Sequence, residues 1–164
     1  MTGDIKMIGV ISDTHGVLRD EAVQALRGVD LILHAGDVGA PVILEKLKGI
    51  APVVAVKGNI DTAPWASELP ATAVVELGQA NIYMLHDVQA LDLNPRDAGF
   101  QCVVSGHSHK PSRTERDGVV YINPGSAGPR RFDLPVTVVR FDLRYAPWRI
   151  EFIELLKMNS EVVK

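Results

Sequence analysis

Two histidines, His107 and His109, lie one residue apart in the segment SGHSHKP, directly after an apolar run. The chain has only 5 histidines in 164 residues, so this pair concentrates an infrequent residue type. Two imidazoles that point to one place are costly unless a metal ion or an acid lies beside them. The pair therefore indicates a metal site or an acid-paired histidine site, and the remaining motifs decide between these alternatives.

Aspartate, asparagine and histidine recur in short motifs elsewhere in the chain. Imidazole nitrogen and carboxylate oxygen are ligands of borderline divalent ions, and one carboxylate can bridge two ions. Each motif is weak on its own, because Asp-x-His, Gly-Asp and Gly-Asn also occur in ordinary turns. The motifs are Asp13-Thr14-His15, Gly36-Asp37, Gly58-Asn59-Ile60-Asp61 and His86-Asp87.

The first third of the sequence predicts alternating strands and helices. Apolar runs rich in β-branched residues occur in KMIGVISD, DLILHAGD and PVVAVKGN, and each predicts a buried strand. Between them, DEAVQALRG and VILEKLKG carry apolar residues at helical spacing, and Gly28 is a stop signal for the first helix. This alternation predicts a parallel sheet with right-handed crossovers.

Later segments predict hairpins. TAVVEL and ANIYMLH flank Gly78-Gln79, and PSRTE and VVYIN flank an Asp117-Gly118 turn signal. FQCVVSG is one more strand, and PVTVVRFDL with WRIEFIEL forms a last antiparallel pair. The sequence thus predicts an α/β fold with two stacked mixed β-sheets flanked by helices. No linker divides the chain, so residues 1–164 are expected to form a single domain.

All five histidines fall at the predicted ends of strands. Ligands of open α/β sheets bind beyond the carboxyl ends of the strands, and histidines placed only for packing would not all collect there. The conjunction of motifs therefore favours a metal site at one edge. Of the five, His34 is the one that still lies inside its strand, just before the Ala35-Gly36-Asp37 end. It is either a hydrogen-bonded, half-buried histidine or a support for the metal ligands.

Composition excludes several classes of function. A net charge of −3 and a pI of about 5.9 give no basic footprint for nucleic acid, so no stable nucleic-acid binding is expected. Cys102 is the single cysteine and cannot form an intrachain disulfide, which predicts a cytoplasmic location. The start of the chain does not read as a signal peptide, and no apolar segment approaches the ~20 residues of a membrane span.

In order, SDTH, AGDV, GNID, MLHD and SGHSH resemble the signature of the calcineurin-like metallophosphoesterase superfamily. The small size and the NPGS segment are similar to its compact bacterial and archaeal phosphodiesterases, a branch that also holds the non-catalytic retromer subunit. The resemblance implies an α/β/β/α sandwich. It also implies two divalent metal ions, with Asp37 bridging both, Asp13, His15 and His109 on one, and Asn59, His86 and His107 on the other.

The chemistry implied is attack of a metal-bridging hydroxide on phosphorus. Asp37 would hold both ions, and the Asn59 amide would help to stabilise charge on the equatorial oxygens. Manganese is the predicted ion, and iron, zinc, cobalt and nickel suit the same mixed donor set. Arg130 and Arg131, just after NPGS, either clamp a phosphate oxygen or belong to a solvated loop.

Two positions depart from the pattern of the family. Ile60 stands where the superfamily usually has a histidine beside the asparagine, which favours phosphodiesters over phosphomonoesters as substrates. Asp87 stands where small relatives commonly have glycine. A phosphomonoesterase and a protein-interaction scaffold are the alternatives, but the chain keeps all seven metal-ligand positions, which favours an enzyme. A small phosphate ester is the expected partner, and a homodimer is compatible with the apolar hairpins.

Overall fold

The computed structural model describes residues 4–78 and 80–156, and its first part alternates strands with helices as predicted. Gly28 follows the first helix in a left-handed conformation, with φ of 84°, which only glycine adopts without strain. The elements are β1 (Met7–Ile11), α1 (Asp20–Ala25), β2 (Leu31–His34), α2 (Pro41–Lys48) and β3 (Val53–Ala55).

The second part consists mainly of hairpins. Asp117 and Gly118 both have positive φ, 54° and 79°, as the predicted two-residue turn requires. In the other predicted turn, Gln79 lies outside the described residues. The strands are β4 (Thr72–Glu76), β5 (Asn81–Leu85), β6 (Cys102–Val104), β7 (Ser112–Arg116), β8 (Val119–Asn123), β9 (Thr137–Asp142) and β10 (Arg149–Glu154), and short 3₁₀ turns span Pro64–Glu68 and Val88–Ala90.

These strands form two mixed five-stranded sheets. The first has the order β10-β9-β1-β2-β3, in which β1, β2 and β3 are parallel and β9 and β10 are antiparallel additions. The second has the order β4-β5-β6-β8-β7, with β5, β6 and β8 parallel and antiparallel edge strands. We call them the first and second sheets. The predicted two-sheet α/β fold is confirmed.

Side-chain alternation along the strands explains why the two sheets stack. In β1, Ile8 and Val10 face the second sheet, whereas Ile11 points to the opposite side, where Leu26 and Leu47 pack from the helical segments. Many side chains between the two sheets are fully buried. Each Å² of apolar area removed from water stabilises the folded state by roughly 25 cal/mol, so this burial is the main stabilising contribution to the fold.

The helices are distributed unequally over the two sheets. Both α-helices cover the first sheet, whereas the outer face of the second sheet is covered, among the described residues, by the segment 87–100 with its 3₁₀ turn. This segment contains Pro95 and Gly99 and has no helical stripe long enough for an α-helix. It still packs Leu91, Leu93 and Phe100 against the sheet. No helix in the described ranges is long and apolar enough to cross a membrane.

We predict that Val139→Ala in β9 lowers the free energy of unfolding by about 2 kcal/mol, because two methyl groups leave a closed core. Val139 is fully buried between the sheets, whereas Val74 in β4 is 51% exposed. Val74→Ala is therefore the matched control and should change stability by less than about 0.5 kcal/mol. Urea denaturation of both variants measures the difference, and equal effects would contradict this description of the core.

Candidate metal centre

The predicted ligands come from loops at the carboxyl ends of strands in both sheets. The first sheet supplies Asp13 and His15 after β1, Asp37 after β2 and Asn59 after β3. The second sheet supplies one histidine after β5 and two after β6. Because parallel strands end at the same edge, these loops meet where the two sheets lie together. The second-sheet residues are His86, His107 and His109.

Asp13 is the most deeply placed carboxylate of this group. Its Oδ1 lies 3.9 Å from His15 Nε2, 3.9 Å from His86 Nε2 and 3.5 Å from His109 Nε2. Two sets of donor atoms lie close enough together to hold an ion: Asp13 with His15 and His109, and Asp13 with Asp37 and His86. The first set contains the three residues that the resemblance places on one ion.

Asp37 belongs to the second set and also approaches His15 of the first, whereas Asp13 belongs to both sets. Asp37 Oδ2 is 3.4 Å from His15 Nε2 and 3.3 Å from His86 Nε2, so one oxygen faces a histidine from each sheet. Its Oδ1 accepts a hydrogen bond from the Ile60 backbone N–H. The structure thus brings the Asp37 carboxylate within reach of donors from both sheets.

Asn59 and His107 extend the group toward solvent. His107 Nδ1 lies 3.2 Å from Asn59 Oδ1 and 3.3 Å from His86 Nε2. His107 Nε2 faces Asp87 Oδ2 at 3.8 Å, and the Asp87 Oδ1 is held by the Gln89 backbone N–H. The seven predicted ligand residues therefore form one continuous group of nitrogen and oxygen donors.

Several donors at the centre lack a partner among the described residues. Asp13 Oδ1, His15 Nε2 and His109 Nδ1 are buried side-chain atoms without a hydrogen bond. An unpaired buried polar atom costs about 1–3 kcal/mol, so three in one place call for a ligand that supplies positive charge or a donor. Imidazole and carboxylate together fit a divalent ion of the first transition series. The residues present therefore fit the metal that the motifs predict.

The backbone at the centre is strained at the ligands themselves. Five of the seven ligand residues have left-handed φ values although none is glycine. Such conformations are rare outside glycine and cluster at functional sites, where the surrounding structure enforces them. The values are 58° at Asp13, 49° at His15, 59° at Asp37, 74° at His107 and 64° at His109.

Two glycines allow the loops to approach one another. A Cβ atom at Gly58 would collide with the backbone and carboxylate of Asp37, and one at Gly106 would collide with the Ser12 hydroxyl and the Asp13 carboxylate. Only a residue without a side chain fits at either position. The glycines of the Gly-Asn and Gly-His motifs are thus explained by space, since neither has a left-handed backbone conformation.

Asp61 joins two of the ligand loops, a role that the sequence did not reveal. Its carboxylate is buried and accepts backbone hydrogen bonds from Val38, Gly39 and Gly58, at 2.9–3.1 Å. Both oxygens face backbone donors. Asp61 therefore fixes the loops after β2 and β3 and is not placed to replace the histidine missing at Ile60. No local sequence pattern distinguishes an acid that accepts backbone hydrogen bonds at this position from any other acid in a loop.

Two other polar residues hold the ligand loops. Ser12 donates to Asp13 Oδ2 at 2.8 Å, and the His107 N–H donates to the same oxygen. Asn123, at the end of β8, donates to the Gly106 carbonyl and to the Ser108 hydroxyl. Ser12 orients Asp13 from the neighbouring position, whereas Asn123 shapes the Gly-His-x-His loop from another strand, which explains why the local motifs do not predict the role of Asn123.

His34 is fully buried behind the ligands and has both ring nitrogens paired. The Thr14 hydroxyl donates to the Val38 carbonyl, so it accepts from His34 Nε2–H, and His34 Nδ1 accepts from the Gly36 N–H. Burial lowers the pKa of His34 to about 4, and the ring is therefore neutral near pH 7. His34 supports the loops after β1 and β2 through backbone and hydroxyl contacts.

Charges at the centre are arranged for cation binding. Burial raises the pKa of Asp13. Burial alone would raise the pKa of Asp37 as well, but hydrogen bonds from His86 and Ile60 and the charges of two histidines hold that pKa below its ordinary value. Burial also lowers the pKa of His109 to about 4, and the Arg131 charge contributes, so His109 has a free lone pair at neutral pH.

The two predicted substrate-binding arginines differ in their relation to the centre. Both are exposed in the loop after NPGS. Arg131 is near enough for its charge to lower the pKa of His109, and Arg130 is not among the main causes of that shift. Within residues 4–78 and 80–156, neither arginine has a hydrogen bond or ion pair with a predicted ligand. Ile60 is 41% exposed at the edge of the centre, and its side chain offers no donor or acceptor.

Residues 7–145 of the sequence match the family model of the calcineurin-like phosphoesterase superfamily domain. The chain belongs to this superfamily. A probable metallophosphoesterase of Methanothermobacter thermautotrophicus is 37% identical over 149 residues, which cover 83% of this chain and 86% of that protein. Family membership and the candidate ligand groups together support a metal-dependent phosphoester hydrolase with a divalent metal site.

Solved structures agree with this calcineurin-like fold. A structure of an archaeal phosphodiesterase has a TM-score of 0.76 at 21% identity and covers 90% of this chain and 99% of its own. Vps29 from Chaetomium thermophilum has a TM-score of 0.73 at 18% identity, with 90% and 95% covered. At these identities the likeness establishes the fold alone.

We predict that His34 makes the metal-free phosphoesterase less stable as the pH falls from about 6.5 to about 4. The unfolded chain takes up a proton on His34 in this range while the folded chain does not, so stability is present above pH 6.5 and is lost below it. The lowering of the pKa corresponds to roughly 3 kcal/mol at most.

His34→Gln retains a group that can bond Thr14 but does not titrate, so the loss of stability on acidification should be smaller in the variant. Chemical denaturation of the chelator-treated proteins at several pH values provides the measurement. Identical pH dependences for the variant and the unmodified chain would contradict a neutral, buried His34.

Proposed function

We propose that the chain is a phosphodiesterase that uses two divalent ions, with manganese as the preferred ion. The observation that carries this proposal is the position of Asp37, whose Oδ2 faces His15 from the first sheet and His86 from the second at 3.4 and 3.3 Å. A carboxylate that faces donors from both sheets suits a pair of ions better than a single one.

In this proposal the donors divide between two ions. Bound ions would supply Lewis acidity toward the phosphoryl oxygens and lower the pKa of a water molecule. Asp37 would contact both ions, and the hydrogen bond from the Ile60 N–H keeps its carboxylate in place. One ion takes Asp13, His15 and His109, and the other takes Asn59, His86 and His107.

The residues of the chain also position the phosphate. Asn59 Oδ1 faces His107, which leaves the amide N–H₂ free to donate to a phosphoryl oxygen as charge develops there. Arg131 adds a guanidinium near His109 that can clamp a second oxygen. The reaction needs no covalent nucleophile from the protein.

Ile60 supports the choice of diesters. The residue that follows Asn59 offers no imidazole to protonate a leaving oxygen, and His107, whose Nδ1 lies 3.2 Å from Asn59 Oδ1, is assigned to an ion in this proposal. Both oxygens of Asp61 are occupied by backbone N–H groups. A scaffold function is disfavoured because all seven donors are present and grouped, a requirement that a purely structural role does not impose. A cytoplasmic location agrees with the single buried Cys102.

The direct test is metal analysis of the purified protein, followed by a hydrolysis screen with each metal restored to chelator-treated protein. Matched aryl diesters and monoesters with the same leaving group should be compared. We expect two ions per chain and a higher kcat/KM for the diesters. One ion per chain, or a preference for monoesters, would contradict the proposal.

We predict that Asp37→Ala loses most bound metal and lowers kcat at least about 100-fold, because even outer partners of metal ligands contribute 10–100-fold. Asp97→Ala, at an exposed acid outside the centre, is the control and should retain both ions. Metal content and kcat are measured together on folded protein. A variant that keeps both ions and full activity would show that Asp37 is not the bridge.

We predict that Arg131→Ala lowers kcat/KM about ten- to hundredfold, as expected for one charged hydrogen-bonding contact of roughly 1.5–3 kcal/mol. Metal content should be unchanged. Arg130→Ala is the matched variant one residue away, and a smaller effect is expected because Arg130 is not among the main causes of the lowered pKa of His109. Unchanged kinetics in both variants would show that the two arginines belong to a solvated surface loop and do not bind substrate.

We predict a steep decrease of log kcat/KM with leaving-group pKa in the unmodified enzyme, because no side chain acts as the general acid. General acids contribute about 10²–10⁴-fold, and mainly for poor leaving groups. Ile60→His should raise rates on poor leaving groups more than on good ones, and Ile60→Leu is the control for side-chain volume. A shallow slope in the unmodified enzyme would mean that another acid already acts.

A further inference from the structure

A mainly apolar cavity of about 580 Å³ adjoins the candidate metal centre. Three of the predicted ligands, Asn59, His86 and His107, form part of its lining. We call it the Tyr83 cavity, after the aromatic residue that lines it. A larger cavity of about 650 Å³ lies against the segment 88–96 and contains none of the predicted ligands, so it has no direct relation to the centre.

The apolar lining of the Tyr83 cavity is rigidly supported. Tyr83 and Leu85 come from β5, and the Tyr83 ring packs against Phe100 with 5.2 Å between ring centroids. Ala71, just before β4, and Ala90, in the 3₁₀ turn, contribute small side chains to the lining. Small residues beside an aromatic ring leave space of the size of a further ring.

The charges of this cavity favour uncharged groups. Lys57 is its one cation among the described residues, whereas Asp87 and Asp92 are both acids. Away from the metal centre, an anionic ligand part would meet more negative than positive charge from the lining, and an uncharged ring with hydroxyl or amino donors would find acceptors. A phosphate itself belongs at the metal centre next to the cavity.

A second, smaller cavity of about 290 Å³ lies on the other side of the residues Asp87 and His107, which line both cavities. It is lined by hydroxyl groups and by Arg116. A phosphate at the metal centre thus has room for substituents in two directions. A diester has two alcohol parts and a monoester has only one.

We propose that the Tyr83 cavity binds one alcohol part of the substrate and selects an uncharged, ring-sized group, as in an aryl or nucleoside ester. This inference rests on the proposed function, because it places the phosphorus at the metal centre. Within that function it assigns Tyr83, Leu85, Ala71 and Ala90 as residues that determine specificity and do not contact the reacting atoms.

The test uses two phosphonates that differ only in the group attached to phosphorus. Phenylphosphonate and methylphosphonate are not hydrolysed, so calorimetric titration of the metal-loaded protein measures binding without turnover. Phenylphosphonate should bind about ten- to thirtyfold more tightly, because the ring buries additional apolar area. A carboxylate on the ring, in 4-carboxyphenylphosphonate, should remove most of this gain.

Ala90→Trp fills the cavity from an exposed position that is not a ligand, and Ala71→Trp does so from the other side if the first variant fails to fold. Each should abolish the preference for phenylphosphonate and leave methylphosphonate binding unchanged. Ala98→Trp, at an exposed position outside the cavity, is the matched control and should keep the preference.

The possible failures are distinguishable. If methylphosphonate binds and phenylphosphonate binds no better, the cavity inference is wrong while the metal centre stands. Retention of the preference in both filled variants would also overturn it. If neither phosphonate binds to metal-loaded protein and no ester is hydrolysed, the proposed function fails and this inference fails with it.

Discussion

The carboxylate of Asp61 holds together the part of the molecule on which the metal centre depends. By accepting N–H groups from the loops after β2 and β3, it fixes the spacing between Asp37 and Asn59 from behind. The absence of a side chain at Gly58 allows the loop after β3 to approach Asp37, and the absence of one at Gly106 allows the loop after β6 to approach Ser12 and Asp13. Without this arrangement, left-handed backbone at the ligands would relax and the donors would separate.

Such a centre is unfavourable for the folded state without its ligand. Buried donors without partners and five non-glycine residues with positive φ all oppose folding. The stabilising contribution comes from the two sheets, whose inner faces are closed by Ile8, Val10, Met84 and Ile122. Stability and function thus come from different parts of the strands: residues within the strands stabilise the fold, and residues at the strand ends form the candidate metal centre.

Most of the fold follows from patterns within short segments. The apolar run in KMIGVISD and the Asp117-Gly118 turn both predict what the structure contains, because local apolar runs and turn chemistry determine these elements. The unequal distribution of helices over the two sheets was not predicted, because no local sequence pattern indicates that the segment 87–100 packs on the outer face of the second sheet.

The site was predictable to the extent that motifs carry ligand chemistry. The grouping of His86 with Asp37 follows from strand ends meeting at one edge. The roles of Asp61 and Asn123 escaped prediction because they depend on backbone groups distant in sequence, those of Val38 and Gly39 for Asp61 and that of Gly106 for Asn123. The proposed substrate-binding cavity could not be predicted from the sequence either, because the Tyr83 cavity forms only where β5, the 3₁₀ turn and the loop after β3 meet.

The division of the donors between two sheets has a thermodynamic consequence. Asp37 follows a strand of the first sheet and His86 a strand of the second, so an ion that binds both would add a cross-link to the apolar core and to the hydrogen bonds, such as that of His86 with the Ala35 carbonyl, that already join the layers. Binding to the folded chain alone adds RT ln(1 + [M]/Kd), about 2.7 kcal/mol at a hundredfold excess over Kd. Supply of the ion would then regulate how long the protein persists as well as how fast it works.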